Sequence, residues 1–398
     1  MISKKMIALV EGSGAIRAMF EEGNRLAALY GRENVFDFSL GNPNFPAPEA
    51  VKQAISDIIN NEDPVTVHGY MSNAGYADVR ESIAASLNSR FGTSFGLNNI
   101  IMSVGAAGGL NVVLKTLLNP GDEVIVFAPY FVEYGNYVGT FDGKLVVVPP
   151  DTSDFLPKPE ALEAAISPRT KVIILNSPNN PTGVVYSAET IRRIAEVLEK
   201  GQQTHGTSIY IISDEPYREL AYDGVDVPYL TGFYENTIVC YSWSKSLSLP
   251  GERIGYIVIP DAAYEYQLLF DAACIATRML GFVNAPSLMQ RAAAKCLDAK
   301  TDIQSYDRNR KRLYGWLTDC GFECVFPQGA FYLWMKSPVP EPEFIEAAKR
   351  HNILLVPGGA FGCPGYVRLA YCVSPDTIEH SLPAFKKLAA EYPKIDHS

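Results

Sequence analysis

The sequence has 398 residues, of which 47% are hydrophobic and 20% are charged, and its formal net charge is −10. This composition is typical of a globular protein with a large core, and the length predicts two or three domains. Because no run of lysine or arginine forms a basic stripe, we expect no nucleic-acid partner. The longest weakly polar segment, residues 100–114, is interrupted by Ser103, Asn111 and glycines, so we expect no membrane span.

The cysteines and histidines show no regular spacing. Seven scattered cysteines, an odd number, indicate reduced thiols and a cytoplasmic protein. The five histidines lack the spacing of metal ligands, so no bound metal is predicted.

Strand-like and helix-like segments alternate between residues 46 and 285. Apolar runs rich in valine, isoleucine and tyrosine are each followed by turn residues, namely EVIVFAPY, KLVVVPP, KVIILNSP, SIYIISDEP, TIVCYSWSK and RIGYIVIP. Stretches of helical period separate several of them; in ETIRRIAEVLEK, Ile191, Ile194 and Leu198 fall on one helix face. This alternation predicts a large α/β domain whose mostly parallel sheet is flanked by helices.

The pattern changes after about residue 285. Two helical stretches, 285–298 and 302–318, precede short strand-like pieces such as GAFYLWMK, ILLVP and YVRLAYC. Residues 286–398 are therefore predicted to form a smaller α+β domain. The N-terminal segment, 1–45, contains a helix-like stretch but is too short to fold alone, so we expect it to complete this smaller domain.

Polar clusters follow several predicted strands, and sheets of this kind bind ligands beyond the carboxyl ends of their strands. In IIMSVGAAGGLNVVLKTLL, a strand ends at Val104 and a helix begins after Gly105. The free N–H groups of a helix start bind anions, although a tight turn without a ligand gives the same pattern. The glycine spacing does not match the dinucleotide fingerprint, which argues against a nicotinamide-dependent oxidoreductase.

Two further clusters carry amide and carboxylate groups. Asn179 and Asn180 in LNSPNNPTGVVYS form either a simple turn or an amide donor to a ligand oxygen. In YIISDEPYREL, Asp214 directly follows a strand, and a partly buried carboxylate needs a partner. That partner is an arginine, a helix N-terminus, a cationic ring nitrogen or magnesium, and no second carboxylate cluster supports the last.

A lysine lies among small hydroxyl residues in CYSWSKSLSLPGERIGY. Lys245 comes after the end of an apolar strand and precedes Arg253 by eight residues. It is either a surface side chain with a buried stem or a partly desolvated amine near a cation. The second environment lowers the pKa of the amine, which then forms a Schiff base with an aldehyde. Together the four clusters supply what pyridoxal phosphate requires: a lysine, an anion site, a carboxylate for the ring nitrogen and a donor for the phenolate oxygen.

The motifs NSPNNPTG, DEPYREL and SWSKSLSLPGERIGY occur in the order found in one protein family. At these residues the sequence resembles the class I and II aminotransferases, the aspartate aminotransferase superfamily of pyridoxal-phosphate enzymes, from about GSGAIR to YVRLAYC. The resemblance implies that family's seven-stranded sheet, a ping-pong transfer of an amino group between an L-amino acid and a 2-oxo acid, and a homodimer with active sites at its interface.

The resemblance also implies a role for particular residues. Lys245 is similar to the Schiff-base lysine that shuttles the substrate proton, and Asp214 to the partner of the pyridine nitrogen. Tyr217 and Asn180 resemble the two donors to the phenolate oxygen. Phe131 in APYFVEY resembles the aromatic residue that stacks on the cofactor ring. The phosphate ligands implied are Gly105, Ala106, Ala107, Ser242, Ser244, Arg253 and, from the partner subunit, Tyr70 of this same sequence.

The substrate end of the site is less well defined. Arg368 in YVRLAYC resembles the arginine that grips the substrate α-carboxylate, with Gly41 of SLGNPNFP and Asn180 nearby. In one aspartate-specific branch, the lysine that binds the distal carboxylate falls at Ala107, and no second arginine for a dicarboxylate is identifiable. The donor is therefore left open between aspartate and neutral or aromatic amino acids. Candidates for the side-chain pocket are Ile16, Met279, Phe331 and Tyr332, although a place in the core is the favoured alternative for each of them.

Two rival functions share the implied fold. A lyase that breaks a C–S bond, or an enzyme resembling aminocyclopropane-carboxylate synthase, uses the same carbanion as an aminotransferase. A non-catalytic effector domain that binds pyridoxal phosphate is the remote alternative. It is disfavoured because the chain is acidic and only about forty residues precede GNPNF.

Overall fold

The computed structural model describes residues 2–12 and 15–392, which form fifteen α-helices and thirteen strands. The helices are α1 (Lys4–Gly12), α2 (Ala15–Tyr30), α3 (Glu49–Asn61), α4 (Pro64–His68), α5 (Ala77–Phe91), α6 (Gly105–Leu117), α7 (Glu133–Thr140), α8 (Pro159–Ala165), α9 (Ala188–His205), α10 (Trp243–Ser246), α11 (Tyr266–Met279), α12 (Ser287–Ala294), α13 (Ile303–Asp319), α14 (Glu341–Arg350) and α15 (Pro375–Ala390). The strands are β1 (Phe36–Asp37), β2 (Ile100–Ser103), β3 (Glu123–Phe127), β4 (Lys144–Val148), β5 (Thr170–Asn176), β6 (Tyr210–Asp214), β7 (Thr237–Ser242), β8 (Gly255–Val258), β9 (Cys324–Val325), β10 (Tyr332–Lys336), β11 (Ile353–Leu354), β12 (Val356–Pro357) and β13 (Tyr366–Ala370).

The largest sheet has seven strands in the order β2-β8-β7-β6-β5-β3-β4. Strand β8 runs antiparallel to both neighbours, and the other adjacent pairs are parallel. Every residue of β6 and β7 is buried, as expected for strands that helices cover on both faces. The prediction of a mostly parallel sheet flanked by helices is therefore confirmed.

Helix α9 shows how the local sequence produces these flanking helices. The Ser187 side chain caps its start by accepting a hydrogen bond from the backbone N–H of Thr190. Ile191, Ile194 and Leu198 are fully buried on one face, as their spacing predicts. Gly206 ends the helix in the left-handed region at φ 63°, a conformation that glycine adopts without steric cost.

Two smaller sheets lie outside the large one. An antiparallel sheet has the order β12-β13-β10-β9, and β1 pairs with β11 in parallel, which places Phe36 beside Ile353. The residue after β1 also contacts β13, because the N–H of Ala370 donates to the carbonyl of Phe38. The N-terminal segment is thus held by the C-terminal part of the chain. The predicted domain boundaries at residues 45 and 285 stay a prediction.

Polar residues collect where the parallel strands of the large sheet end. Asn176 ends β5, Asp214 ends β6 and Ser242 ends β7, so the three lie at the carboxyl edge of adjacent strands. Among residues 2–12 and 15–392, no helix has the length and apolar character needed to cross a membrane.

Candidate active site

A cavity of about 310 Å³ opens at the carboxyl edge of the large sheet. Thirteen residues that the sequence singled out line it: Gly41, Ala106, Ala107, Phe131, Asn180, Asp214, Tyr217, Ser242, Ser244, Lys245, Arg253, Tyr332 and Arg368. They come from distant parts of the sequence; the strand-end pattern predicts the meeting of those that follow strands of the large sheet, and the resemblance implied the others.

The amine of Lys245 is held inside this cavity. Its Nζ donates a hydrogen bond to the carbonyl of Gly41 at 2.6 Å and lies 5.2 Å from the centre of the Phe331 ring. Burial lowers the pKa of Lys245 to about 8, and the nearby positive charges of Arg368 and Arg253 contribute to the same shift. The predicted nucleophilic environment is thus present, with desolvation as its main cause.

This lowered pKa gives a testable pH dependence. Only the neutral amine attacks an aldehyde, so we expect the rate at which the cofactor-free protein captures pyridoxal phosphate to rise with pH up to about 8 and then level off. An ordinary lysine would keep gaining reactivity up to about pH 10.4. Stopped-flow absorbance between pH 6 and pH 10 measures the rate, with N-acetyl-lysine as the reference amine. A profile parallel to that of N-acetyl-lysine would contradict the shifted pKa.

Asp214 is a buried carboxylate with one bonded oxygen and one bare oxygen. Its Oδ2 accepts a hydrogen bond from the hydroxyl of Tyr134 at 2.5 Å, whereas Oδ1 has no hydrogen-bond partner within the described part of the chain. Burial raises the pKa of Asp214 to about 7 against the opposing effect of the Tyr134 hydrogen bond. The local arginine does not pair with Asp214, because Arg218 forms a buried ion pair with Glu215. Of the partners considered from the sequence, a cationic ring nitrogen fits the bare oxygen best.

Anion-binding groups gather at the start of α6. Gly105 adopts φ 75°, and a Cβ there would lie 2.7 Å from a terminal nitrogen of Arg253, so only glycine allows this close approach. The hydroxyls of Ser242 and Ser244 are 2.7 Å apart, and Arg253 donates to the Ser244 hydroxyl at 3.4 Å. With the free N–H groups of the first helical turn, these side chains form a set of donors suited to a phosphate.

Arg368 lies at the opposite end of the cavity. Its two terminal nitrogens donate to Oδ1 of Asn180 at 3.0 Å and to the carbonyl of Ser39 at 2.7 Å. Its guanidinium lies 4.4 Å from the centre of the Tyr332 ring, and its Nε has no partner among the described residues. A buried, stacked guanidinium in this position can bind a carboxylate through two parallel hydrogen bonds.

Some sequence-based candidates lie elsewhere. Met279 is 66% exposed and does not line the cavity, so its assignment to a side-chain pocket is wrong. Phe331 is fully buried in the core beneath Lys245, and Tyr332 both lines the cavity and is buried. The side chain of Ile16 lies outside the described residues. Tyr70 is 93% exposed and away from this cavity, as a residue serving a partner subunit would be.

Three residues and one further contact of the site were not predicted from the sequence. Tyr134 contacts Asp214, the Asn176 side chain donates to the carbonyl of Asp214, Ser39 accepts from Arg368, and the Tyr332 hydroxyl is 2.8 Å from that of Tyr217. Asn176 ends β5 in KVIILNSP, so the strand-end argument applied to it could have found it. The other three contacts join segments far apart in sequence, and no local pattern signals them.

Aspartate aminotransferase from Thermus thermophilus matches this structure with a TM-score of 0.87 and 28% identity, covering 98% of this chain and 99% of that one, so the chain has the aspartate aminotransferase fold. The family model described as aminotransferase class I and II matches residues 33–385, and the chain belongs to this family. The resemblance seen in the sequence is thereby confirmed, and the protein is an aminotransferase.

Relatives of this chain include enzymes with different named substrates. A probable aspartate/prephenate aminotransferase of Thermus aquaticus is 33% identical over 87% of this chain and 89% of its own. Aromatic-amino-acid aminotransferase 2 of Thermococcus litoralis is 29% identical over 91% of this chain and 93% of its own. Among solved structures, an aminotransferase from Eubacterium rectale matches with a TM-score of 0.96 and 46% identity, covering 99% of this chain and 100% of that one.

Proposed function

We propose that this aminotransferase binds pyridoxal 5'-phosphate in the cavity and transfers an amino group between an L-amino acid and a 2-oxo acid by a ping-pong mechanism. The observation that carries the proposal is the bare Oδ1 of Asp214, an acceptor buried without a donor. A buried acceptor that lacks a donor is costly, and a protonated pyridine nitrogen supplies one.

The residues around the cavity fit each part of this cofactor. Gly105, Ala106, Ala107, Ser242, Ser244 and Arg253 hold the phosphate through backbone N–H groups, hydroxyls and the guanidinium. Tyr217 and Asn180 donate to the phenolic oxygen, and Phe131 stacks on the ring. Lys245 bonds to the aldehyde carbon. All these residues except Gly105 line one cavity, which supports the proposal. Gly105 directly precedes Ala106, which does line it.

The chain's own residues then have separate tasks in the transfer. When bound, pyridoxal phosphate supplies an aldehyde that bonds to amino groups and a ring that accepts the electron pair of a broken Cα–H bond. Arg368, with Asn180 and Gly41 beside it, binds the substrate α-carboxylate and so fixes the direction of the Cα–H bond. Nζ of Lys245 removes the Cα proton, because a pKa of about 8 leaves roughly a tenth of the amine neutral and able to accept a proton at pH 7, whereas an ordinary lysine is less than about a thousandth neutral there. Asp214 keeps the ring nitrogen protonated.

We propose neutral and aromatic amino acids as donors beside aspartate. Ala107 offers no charge to a distal carboxylate, and the cations that line the cavity, Lys245, Arg253 and Arg368, each have another task in this proposal. Support for a broad range comes from the relatives, whose names include aspartate, prephenate and aromatic amino acids.

We also propose that the protein is a cytoplasmic homodimer. Within each subunit, we propose domain boundaries at residues 45 and 285. Tyr70 is exposed, yet its loop is anchored, because the Asn284 side chain donates to the carbonyls of Met71 and Ser72. An exposed tyrosine on an anchored loop can place its hydroxyl at the cofactor phosphate bound in the partner subunit. Free buried thiols such as Cys240 fit a reducing compartment.

A half-reaction screen tests this function. Protein loaded with pyridoxal phosphate is mixed with one amino acid at a time, without an oxo-acid acceptor. Because a ping-pong enzyme stops after the first half, we expect about one equivalent of oxo acid per subunit and no ammonia. Mass spectrometry measures the oxo acid, and glutamate dehydrogenase measures the ammonia. Arg368→Lys, which keeps the charge but loses the planar fork, should raise the donor concentration needed for half-maximal rate about tenfold or more.

The same screen distinguishes the proposed aminotransferase from a C–S lyase. Cystathionine is the discriminating donor, because a C–S lyase releases pyruvate and ammonia continuously from it. Continuous ammonia from cystathionine, with no oxo-acid burst from any other amino acid, would replace the proposal with a lyase.

A further inference from the structure

A second tyrosine lies behind the proposed donor to the cofactor's phenolic oxygen. The hydroxyls of Tyr332 and Tyr217 are 2.8 Å apart, and both side chains are buried. Their rings meet edge to face, with centroids 5.7 Å apart. Tyr332 begins β10 and Tyr217 follows β6, so the contact joins the small antiparallel sheet to the edge of the large one.

The position of Tyr332 is fixed from three sides. A Cβ on Gly41 would lie 2.0 Å from its hydroxyl, so backbone packs directly against that group. Arg368 covers the ring at 4.4 Å, and strand β10 is paired with β13 on one side and β9 on the other. The hydroxyl therefore has little freedom to turn away from Tyr217.

Either hydroxyl can be the donor in this hydrogen bond, and its direction depends on where Tyr217 directs its own proton. Each hydroxyl has one proton to donate and two lone pairs. If Tyr217 donated to Tyr332, its proton would point away from the cavity. If Tyr332 donates, the Tyr217 proton is free to point into the cavity. Among the described residues, Tyr217 is the hydrogen-bond partner of the Tyr332 hydroxyl.

We propose that Tyr332 is a positioning residue whose hydroxyl donates to Tyr217 and thereby orients and strengthens Tyr217 as the donor to the phenolic oxygen of pyridoxal phosphate. This inference rests on the proposed function. A hydroxyl that accepts one hydrogen bond becomes a better donor in the next, by roughly 10–30% per bond. Tyr217 stays protonated in this role, because burial raises its pKa well above 10.

The absorbance of the bound cofactor reports this effect independently of turnover. A donor to the phenolic oxygen stabilises the form in which that oxygen is negative, so weakening the donor raises the pH midpoint of the absorbance change. Tyr332→Phe keeps the ring under Arg368 and removes only the hydroxyl. We expect it to raise the midpoint by about 0.3 pH unit, and Tyr217→Phe by roughly 1 to 2 units. The other charged or titratable groups that act on the pair are Arg368, Asp214, Cys372 and Tyr134, which all variants retain.

Two further variants test whether Tyr332 acts through Tyr217 and whether the effect is specific to Tyr332. The double variant Tyr217→Phe/Tyr332→Phe should have the midpoint of Tyr217→Phe alone, because Tyr332 acts through Tyr217. Tyr222→Phe is the matched control: its hydroxyl donates to the carbonyl of Ala330 in the same core, away from the cavity. It should leave the midpoint unchanged while lowering the melting temperature about as much as Tyr332→Phe does.

The outcomes separate this inference from the function beneath it. An unchanged midpoint in Tyr332→Phe, an additional shift in the double variant, or an equal shift in Tyr222→Phe would each overturn the positioning role. Wild-type protein that shows no absorbance from bound pyridoxal phosphate would instead refute the proposed function.

Discussion

Lys245→Ala is expected to lower kcat/KM for every amino-acid donor by at least about 10⁴-fold, because it removes both the covalent link to the cofactor and the base that takes the Cα proton. The variant should stay folded. Burial lowers the pKa of Lys245 to about 8, so the folded state disfavours the charged amine and loses no stabilising charge when it is removed. Steady-state kinetics and thermal unfolding of the same preparations measure the two effects.

Lys300→Ala is the control for this loss, since Lys300 is exposed and does not line the active-site cavity. It should retain wild-type kinetics. After borohydride reduction, the cofactor should remain attached to the wild-type protein and to Lys300→Ala, but not to Lys245→Ala. Label found on a lysine other than Lys245 in wild-type digests would refute the assignment.

Asp214→Asn should reduce the half-reaction rate by about 10³-fold or more and weaken the retention of pyridoxal phosphate. The amide keeps the size of the side chain and can still accept from Tyr134, but it has no negative charge to hold a proton on the ring nitrogen. Single-turnover absorbance gives the rate, and equilibrium dialysis gives the affinity for the cofactor.

Asp226→Asn makes the same chemical change in the segment that follows, outside the cavity, and should behave as wild type. The role of Asp214 as electron-sink partner would be untenable if Asp214→Asn turned over at the wild-type rate with the cofactor bound. A loss confined to affinity, with an unchanged rate at saturating cofactor, would reduce Asp214 to an anchor.

The parts of the site that follow strands were predictable from the sequence. Asp214 and Lys245 each come at or just after the end of an apolar run, and parallel strands end at one edge of the sheet, so their meeting follows from the fold class. Asn180 stood out in the cluster that follows a strand, but its role came from the resemblance. Arg368 came from the resemblance alone, because nothing in the local pattern of YVRLAYC sets its arginine apart. The mostly parallel sheet followed from the alternation of apolar runs and helical periods.

The contacts that tune these residues were not predictable. Tyr134 occurs in a helix with other apolar residues, where a tyrosine usually indicates core packing, yet it donates to Asp214. Ser39 and Arg368 are separated by 329 positions, and their segments meet through the pairing of β1 with β11 and the hydrogen bond from the N–H of Ala370 to the carbonyl of Phe38. Met279 was misassigned because it ends an amphipathic helix, and its side chain points to solvent. Such contacts depend on side-chain direction, which periodicity alone leaves open.

The location of Arg368 in the middle of a strand has a consequence for how the enzyme fails. Its backbone is fixed between β10 and β12, whereas Lys245 follows β7 of the other sheet. In the proposed function, the substrate is thus bound by a residue of one sheet and deprotonated by a residue that follows a strand of the other. We therefore expect heat or denaturant to inactivate the enzyme when the two sheets separate slightly, before either sheet unfolds.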